Sequence, residues 1–350
     1  MATTGAHSRV VLALVWLVVG AAMVAVPVWL GWTRWQSVLT GHPAMLVLGI
    51  ACGLFGFVAL AWAVATLLVG DRVEQGEAAL SRTHRQRVRR ANRRVALAVP
   101  ALFLCVLTAG LLAWARPFAP TPVAVTAMRS ANDIRVSDRI TWYEMTSVAK
   151  NADDQVVKPT VGLVFVPGAR VDPRAYAKLL RPLAAAGYLV VVLKEPFGIA
   201  FLDQNHAGTV MRLHPEITTW VVAGHSLGGV VAASYADGHP VVGTAKVAGL
   251  ALYASYPSSR LQRTDLKVTS ISGSLDGLST PAKVTASKDD LPAASTFVVV
   301  PGAVHSYFGD YGLQPGDGTP TADRVQAQAQ ITKATADLLA AVTPPKPKSR

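Results

Sequence analysis

The sequence predicts an α/β domain, with a mostly parallel sheet and helices on both faces, preceded by three transmembrane helices. Three long uncharged apolar runs occupy much of the first 115 residues. Later apolar runs lack the alternation of half-exposed strands and are separated by helical stretches, a pattern typical of strands that are buried on both faces. Hydrophobic residues make up 51% of the chain and charged residues 15%, which excludes a disordered chain.

The three apolar runs cover residues 10–32, 44–69 and 95–115. Each is at least as long as the roughly 20 apolar residues that a helix needs to cross a bilayer. The first run exceeds the usual apolar region of a signal peptide and has no clear small-x-small cleavage pattern beside it, so we interpret it as a retained span. Residues 1–116 are therefore predicted to form a membrane anchor.

Much of the net charge of +12 lies between the second and third runs. Residues 71–94 hold eight arginines and three acidic residues, a net charge of +5. Because Lys and Arg stay on the cytoplasmic side, we predict that this loop and the N-terminus lie inside and that everything after residue 116 is extracytoplasmic, at the cell membrane. We interpret the loop as a topology signal that touches lipid headgroups, and we expect no nucleic-acid partner.

The chain after residue 116 has a nearly balanced charge once the Pro- and Lys-rich tail, residues 343–350, is set aside. The tail is predicted to be disordered. Both cysteines, Cys52 and Cys105, lie in predicted spans, so neither a disulfide nor thiol chemistry is available to the soluble part. The sequence shows no zinc-protease, P-loop or dinucleotide-binding pattern, so we predict no metal and no cofactor.

The soluble part is predicted to begin with a stiff Pro-rich linker at 117–122, and residues 117–160 to hold this linker and the first strands. A core domain follows over 161–342. Its predicted strands are 161–166, 188–193, 220–223, 247–253, 267–272 and 296–300. Its predicted helices are 173–186, with Asp172 as the cap and Pro173 at the first helical position, 227–236 and 321–342.

The strongest chemical signal is the stretch Gly-His-Ser-Leu-Gly at 224–228. The bare pattern G-x-S-x-G is not rare, but here it follows a predicted strand and opens a predicted helix. A nucleophilic serine needs this context, because a strained strand-to-helix turn exposes its hydroxyl above the sheet. We therefore predict that Ser226 is a nucleophile. The alternative is a glycine-rich turn that happens to contain a serine.

A nucleophilic serine needs a base, and the base needs an orienting carboxylate. In the fold that carries this kind of turn, the carboxylate and the base come later in the chain, each on a loop that follows a strand. Asp276 comes after the predicted strand 267–272, and His305 comes after 296–300. We predict that they are the carboxylate and the base. Rival carboxylates that do not directly follow a strand are Asp265, Asp289 and Asp290.

The oxyanion of acyl transfer needs two backbone N–H donors. One is predicted at Leu227, directly after the nucleophile. The other is predicted in the loop after strand 161–166, at Ala169, with Arg170 as the alternative. Gly168 in the same loop lets the backbone approach the substrate.

Residues 160–340 resemble the α/β-hydrolase superfamily and are most similar to its dienelactone-hydrolase-like and carboxylesterase-like bacterial branches. The matching stretches are Phe-Val-Pro-Gly-Ala at 165–169, Gly-His-Ser-Leu-Gly-Gly at 224–229, Ser-Leu-Asp-Gly at 274–277 and Pro-Gly-Ala-Val-His at 301–305. The resemblance implies the α/β-hydrolase fold, a triad of Ser226, Asp276 and His305, and hydrolysis of an ester-like bond. The chain departs from the dienelactone hydrolases proper, which use a cysteine nucleophile. It also lacks the His-Gly-Gly-Gly oxyanion stretch of many lipases.

Two further stretches lie where they can shape a pocket. Glu195 follows the strand 188–193 and is predicted either to contact substrate or to pair with an arginine. The aromatic and Gly-rich segment 306–318, which includes Tyr307, is predicted either to line or cover the pocket or to be a structural loop. The possible substrate-binding residues are thus Gly168, Arg170, Glu195 and Tyr307.

The sequence therefore predicts a membrane-anchored serine hydrolase of the carboxylesterase or lipase type. Its expected substrate is a small-molecule or lipid ester, cleaved through an acyl-enzyme. The same triad is also compatible with thioester, peptide or perhydrolysis chemistry, and the same fold with a non-catalytic binding protein. The sequence gives no indication of an oligomeric state.

Overall fold

The computed structural model describes residues 3–78, 84–131 and 133–345. The chain divides into two compact units. We call the first, Met1–Leu39 with Ala44–Arg116, the helical unit. We call the second, Thr40–Pro43 with Pro117–Arg350, the sheet unit.

The helical unit consists of α1 (Thr3–Thr40), α2 (Pro43–Ala78) and α3 (His84–Trp114). Each contains a stretch that is long and apolar enough to cross a membrane, namely Val10–Thr40, Pro43–Leu68 and Ala96–Trp114. The prediction of three long apolar helices before the α/β domain is therefore confirmed.

The predicted loop 71–94 is wrong as a description of the backbone. Helix α2 continues to Ala78 and α3 begins at His84, so most of the arginine-rich segment is helical. The segment 79–83 lies outside the described residues, as does the end of the predicted tail, 346–350. Arginine is a good helix former, so a high density of it does not by itself end a helix.

Two glycines allow α1 and α2 to approach closely. A Cβ atom added to Gly56 would lie 2.8 Å from the carbonyl oxygen of Gly20, and one added to Gly20 would lie 3.0 Å from that of Gly56. Small residues facing each other in this way are typical of helix pairs in membranes, where close backbone packing supplies much of the attraction.

In the sheet unit the described residues form nine strands, which belong to one sheet. The strands are β1 (Ile134–Asp138), β2 (Trp142–Ser147), β3 (Val161–Val166), β4 (Leu189–Leu193), β5 (Thr219–His225), β6 (Val241–Val242), β7 (Ala245–Tyr253), β8 (Lys267–Gly273) and β9 (Thr296–Val300). The helices are α4 (Pro122–Ala127), α5 (Ala177–Ala185), α6 (His206–Arg212), α7 (Leu227–Gly238), α8 (Pro281–Ala286) and α9 (Arg324–Val342). All six predicted strands are present.

The strand order is β1-β2-β4-β3-β5-β7-β8-β9, with β6 paired to β7. The pairs β1–β2 and β2–β4 are antiparallel, whereas β3, β4, β5, β7, β8 and β9 run parallel to one another. Parallel strands bring their carboxyl ends to one edge of the sheet, and the loops that follow them meet there. The predicted nucleophile, carboxylate and base all lie on such loops.

Both faces of the sheet are buried, which explains why the strands lack alternation. In β3, Leu163 and Phe165 belong to one apolar cluster, which also contains side chains of α5 and α9. Val164 and Val166 point to the opposite cluster, which contains side chains of α6 and α7.

The first predicted helix begins at the expected residue, whereas the last begins later than expected. The first opens as a 3-10 turn, Pro173–Tyr176, before α5, and the Asp172 carboxylate accepts the N–H of Arg174 at 3.0 Å. The last begins at Arg324, because Asp323 caps it by accepting the N–H of Gln326 at 2.9 Å. In both places a short carboxylate satisfies a helix-terminal donor and fixes the boundary.

The predicted linker is not a free spacer. Phe118 donates its N–H to the carbonyl of Arg170 at 2.7 Å and accepts the N–H of Asp172 at 3.0 Å. Thr121 donates its N–H to the carbonyl of Asp310 at 2.7 Å. The segment therefore forms part of the sheet unit and stabilises the loop after β3 through hydrogen bonds.

Candidate active site

Ser226 occupies a sharp turn between β5 and α7. Its backbone angles are φ 52° and ψ −123°, a conformation that costs energy for any residue with a Cβ and that is found where function requires it. Two hydrogen bonds from the end of β7 hold the turn. The N–H of Ser226 donates to the carbonyl of Tyr253 at 2.9 Å, and the Ser255 hydroxyl donates to the carbonyl of Ser226 at 2.6 Å.

The glycines around Ser226 are required by close packing. A Cβ on Gly224 would overlap the carbonyl of Gly228, and a Cβ on Gly228 would overlap the carbonyls of Val166 and Pro167. The start of α7 thus lies directly against the end of β3. This contact brings the nucleophile turn to the loop in which the second oxyanion donor was predicted.

Asp276 and His305 meet at the carboxyl edge of the sheet. Asp276 Oδ2 accepts a hydrogen bond from His305 Nδ1 at 2.9 Å, and both side chains are fully buried. Asp276 Oδ1 accepts the N–H groups of Leu278 at 2.8 Å and Ser279 at 2.7 Å. The carboxylate is therefore fixed from both sides, and it sets the histidine tautomer by holding the proton on Nδ1.

The rival carboxylates lie elsewhere. Asp265 pairs with the Arg263 guanidinium, with contacts of 3.0 and 2.8 Å. Asp289 and Asp290 end a 3-10 turn, Ser287–Asp290, after α8.

The Nε2 atom of His305 is buried and has no hydrogen-bond partner among the described residues. No hydrogen bond joins it to the Ser226 hydroxyl in that part of the chain. The ring of His225, next to Ser226 in the chain, lies 4.5 Å from the His305 ring between centroids. Catalytic serine–histidine contacts are often long without substrate and shorten when it binds.

The loop after β3 distinguishes the two candidates for the second oxyanion donor. The N–H of Arg170 donates to the carbonyl of Gly198 at 2.8 Å. The N–H groups of Ala169 and Leu227 donate to no acceptor in the described parts of the chain. These two N–H groups therefore stay free for an incoming oxygen.

The part of the chain that carries the serine turn, the carboxylate and the histidine matches a known protein family. Residues 162–330 match the model of the alpha/beta hydrolase family. The sheet unit has the alpha/beta hydrolase fold, with a mostly parallel sheet and helices on both faces.

Solved structures resemble the alpha/beta hydrolase unit. A thermostable esterase from Pseudomonas putida is 15% identical, covering 64% of this chain and 89% of its own, with a TM-score of 0.45. A Klebsiella pneumoniae protein named as a dienelactone hydrolase is 17% identical, covering 57% of this chain and 92% of its own, with a TM-score of 0.40. A comparison with curated protein sequences found no match. The similarity to the alpha/beta hydrolase family rests on the match over residues 162–330.

Beneath the nucleophile turn of the hydrolase lies a polar pair that the sequence did not reveal. The Tyr176 hydroxyl forms a 2.9 Å hydrogen bond with His225 Nδ1 and accepts the N–H of Gly168 at 2.9 Å. Burial raises the pKa of Tyr176. Burial, followed by the nearby His305, lowers the pKa of His225 well below its usual value. Both side chains are therefore neutral at physiological pH, which is the form in which a buried pair is stable.

The structure places two of the possible substrate-binding residues, Glu195 and Tyr307, in contact with other side chains and loops of the protein. Glu195 is buried after β4 with its Oε2 3.5 Å from Nδ1 of His206, not beside an arginine, and burial raises its pKa. The Tyr307 hydroxyl donates to the carbonyl of Ala322 at 3.2 Å, and the Arg324 guanidinium lies 4.3 Å from its ring centroid. Their role in substrate binding stays a prediction. Arg170 has a φ of 62°, with its guanidinium 5.0 Å from the Phe118 ring centroid.

The segment after His305 is firmly packed at its start. Residues 305–311 are all buried, and the N–H of Asp310 donates to the carbonyl of Ala175 at 2.7 Å. The segment then turns back, and the carboxylate of Asp317 accepts the N–H of His305 at 3.0 Å. No local sequence pattern marks this contact, because an aspartate between two glycines is also typical of an exposed turn.

In residues 3–78, 84–131 and 133–345, no group of three or more His, Cys, Asp or Glu side chains is arranged to hold a metal ion.

Proposed function

We propose that the chain is a membrane-anchored serine hydrolase that cleaves an ester bond through Ser226, His305 and Asp276. The observation that carries the proposal is the strained backbone of Ser226 between β5 and α7, together with the buried 2.9 Å contact of the other two residues. Strain at a serine with no local structural need for it is typical of a nucleophile.

The proposed acylation step gives each of these atoms a role. Ser226 Oγ attacks the carbonyl carbon while its proton passes to His305 Nε2, which the Asp276 contact leaves as the unprotonated ring nitrogen. The negative charge that develops on the carbonyl oxygen is met by the N–H groups of Leu227 and Ala169. His305 then returns the proton to the leaving alcohol as the carbon–oxygen bond breaks, and the acyl group stays on Ser226.

Deacylation repeats these steps with water. His305 Nε2 takes a proton from the water as its oxygen attacks the acyl carbon, and then gives that proton to Ser226 Oγ. Asp276 stays ionised throughout, holding Nδ1–H and stabilising the imidazolium that forms in each step. The carboxylic acid leaves, and the resting enzyme is restored.

The membrane-spanning role of the three apolar helices belongs to the same proposal. Their lengths and composition suit a bilayer, and the arginine-rich residues 71–94 favour the cytoplasmic side. The hydrolase follows the third helix and is then extracytoplasmic, where it acts on a small-molecule or lipid ester at the membrane surface.

Labelling with a fluorophosphonate probe tests the nucleophile. We expect the full-length protein in membranes to be labelled and Ser226→Ala to be unlabelled, because the probe phosphonylates an activated serine. Ser258→Ala is the matched control, since Ser258 is an exposed loop serine, and it is expected to label like the wild type. A folded wild type that stays unlabelled would refute the proposal.

Turnover of matched substrates tests which type of bond the enzyme cleaves. We expect short-chain p-nitrophenyl esters to be hydrolysed by the wild type and not by Ser226→Ala. Labelling without ester turnover, combined with cleavage of a thioester or a peptide, would keep the serine nucleophile and reject the ester.

A further inference from the structure

A single carboxylate outside the proposed triad joins the loops that carry two of its members. Asp317 Oδ1 accepts the N–H of His305 at 3.0 Å and, at a longer 3.4 Å, that of Gly277. Its other oxygen, Oδ2, accepts the N–H of Ser306 at 2.9 Å. Oδ1 also accepts the N–H of Gly318 at 2.8 Å, which fixes the direction of the side chain.

The donors belong to both halves of the Asp276–His305 contact. Gly277 directly follows Asp276, and the N–H groups of His305 and Ser306 open the 3-10 turn His305–Phe308. Backbone hydrogen bonds to a carboxylate are stronger than those to a neutral acceptor. Asp317 therefore holds the peptide groups next to both side chains and fixes the spacing of the two loops.

The backbone on either side of Asp317 packs closely against the loop that carries Asp276. A Cβ on Gly277 would lie 2.6 Å from the carbonyl oxygen of Gly316, and a Cβ on Gly318 would overlap the carbonyl of Leu275. The chain around Asp317 thus lies directly on the loop that carries Asp276. A side chain without an acceptor at position 317 leaves the N–H groups of His305 and Ser306 without their partner, and nothing else described on the segment replaces it.

We propose that Asp317 is a positioning residue for the hydrolase reaction, one that keeps His305 Nδ1 on Asp276 by clamping the two loops together. The proposal rests on the function proposed above. Asp317 acts through the backbone and not on substrate, since all four of its hydrogen bonds go to N–H groups of the protein. The segment 306–318 accordingly has a structural role, which is to support the triad.

A double-mutant cycle with Asp276 tests this proposal. The rate of fluorophosphonate labelling is measured for the wild type, Asp317→Ala, Asp276→Ala and the double variant, all full-length and in membranes. We expect Asp317→Ala to slow labelling by roughly tenfold or more in the wild type, but by less than about twofold when Asp276 is already absent. Removing the clamp has little effect once there is no carboxylate for it to align.

Asp323→Ala is the matched control. Asp323 also accepts a backbone N–H, that of Gln326, but this bond lies within the start of α9 and involves no backbone group next to Asp276 or His305. We expect it to lower thermal stability without a background-dependent effect on labelling. Equal slowing by Asp317→Ala in both backgrounds, or no slowing at all, would overturn the positioning role.

Asp317→Asn keeps the proposal testable if the alanine variant does not fold. The amide oxygen can replace Oδ1 toward His305, but the amide nitrogen cannot accept from Ser306. We expect labelling between that of the wild type and that of Asp317→Ala, with kcat lowered and KM unchanged in ester turnover. A wild type that is not labelled would contradict the proposed function itself, whereas a labelled wild type with an unaffected Asp317→Asn and Asp317→Ala would contradict only the positioning role.

Discussion

Tyr176 and His225 are joined by a 2.9 Å hydrogen bond between the phenol oxygen and Nδ1, directly beneath the nucleophile turn. The same hydroxyl accepts the N–H of Gly168, so one buried side chain connects the residue before Ser226 to the residue before Ala169. The nucleophile and one of the two proposed oxyanion donors are thus held by the same atom. A change at this hydroxyl is expected to disturb both.

Tyr176→Phe removes that atom with little change in shape. It leaves the N–H of Gly168 and Nδ1 of His225 buried without their partner, which costs about 1–3 kcal/mol for each group that stays unsatisfied. We expect a lower free energy of unfolding and a lower kcat with KM little changed, because the oxyanion donor matters most in the transition state. Urea unfolding in detergent and ester kinetics measure the two effects.

Tyr188→Phe is the control for this change. Tyr188 packs partly buried against the same apolar cluster, and its hydroxyl makes no hydrogen bond in the described part of the chain. It is expected to change stability by less than about 0.5 kcal/mol. Equal effects of the two substitutions would show that the Tyr176 hydroxyl is dispensable.

Gly228→Ala tests the close approach of α7 to β3. The added Cβ would overlap the carbonyls of Val166 and Pro167, so the helix or the loop after β3 must shift. We expect destabilisation of about 1–3 kcal/mol and a large loss of labelling. Gly238→Ala, in the same helix but with nothing within 4 Å of the added atom, is expected to be neutral or stabilising by up to about 1 kcal/mol.

The depressed pKa of His225 predicts a pH dependence of stability. Burial keeps its folded-state pKa well below the ordinary value of 6.5, so below that pH the unfolded chain takes up a proton that the folded protein does not. The unfolded state then binds more protons, and stability falls as the pH falls below 6.5, by up to about 1.4 kcal/mol per pH unit for one group.

His225→Asn isolates this effect. The amide oxygen of Asn can accept from Tyr176 in place of Nδ1, but the side chain does not titrate. Unfolding free energies at pH 8, 7, 6 and 5 are expected to fall less steeply in the variant than in the wild type. Parallel curves for the two proteins would mean that the His225 proton makes no contribution.

Accessible cysteines test the proposed sidedness. Both native cysteines lie in the apolar helices and are buried, so an introduced surface cysteine reports its own location. We expect a membrane-impermeant maleimide to label Ser258→Cys in intact cells and Ser81→Cys only after lysis, because residue 81 lies in the arginine-rich segment. The opposite pattern would place the hydrolase in the cytoplasm.

Much of the hydrolase was predictable because its signals are local. The apolar runs without alternation that precede Ser226 and His305 mark strands buried on both faces, and the small residues around Ser226 mark a tight turn. The start of the first helix was also predictable, since Asp172 followed by Pro173 is a local cap signal, whereas the cap Asp323 displaces the start of α9 by a few residues. The arginine-rich stretch has the charged composition that is typical of a loop. Arginine nevertheless has a high helix propensity, so composition alone does not show where the helices end.

The sequence by itself determined the fold class, the three apolar helices, and the positions of Ser226, Asp276 and His305 after their strands. These follow from periodicity and turn chemistry, which act over a few neighbouring residues. Only the tertiary structure decided that Asp276 faces His305 while Asp265 faces Arg263. It also decided that, in the described loop after β3, the backbone N–H of Arg170 is bonded to Gly198 while that of Ala169 has no acceptor.

The contacts of Tyr176 and Asp317 were also decided by the tertiary structure alone. Each joins residues that are far apart in the chain, Tyr176 with His225 and Asp317 with Gly277. Such contacts exist because parallel strands bring separate loops to one edge of the sheet, and no local pattern records which buried donor and acceptor will meet there.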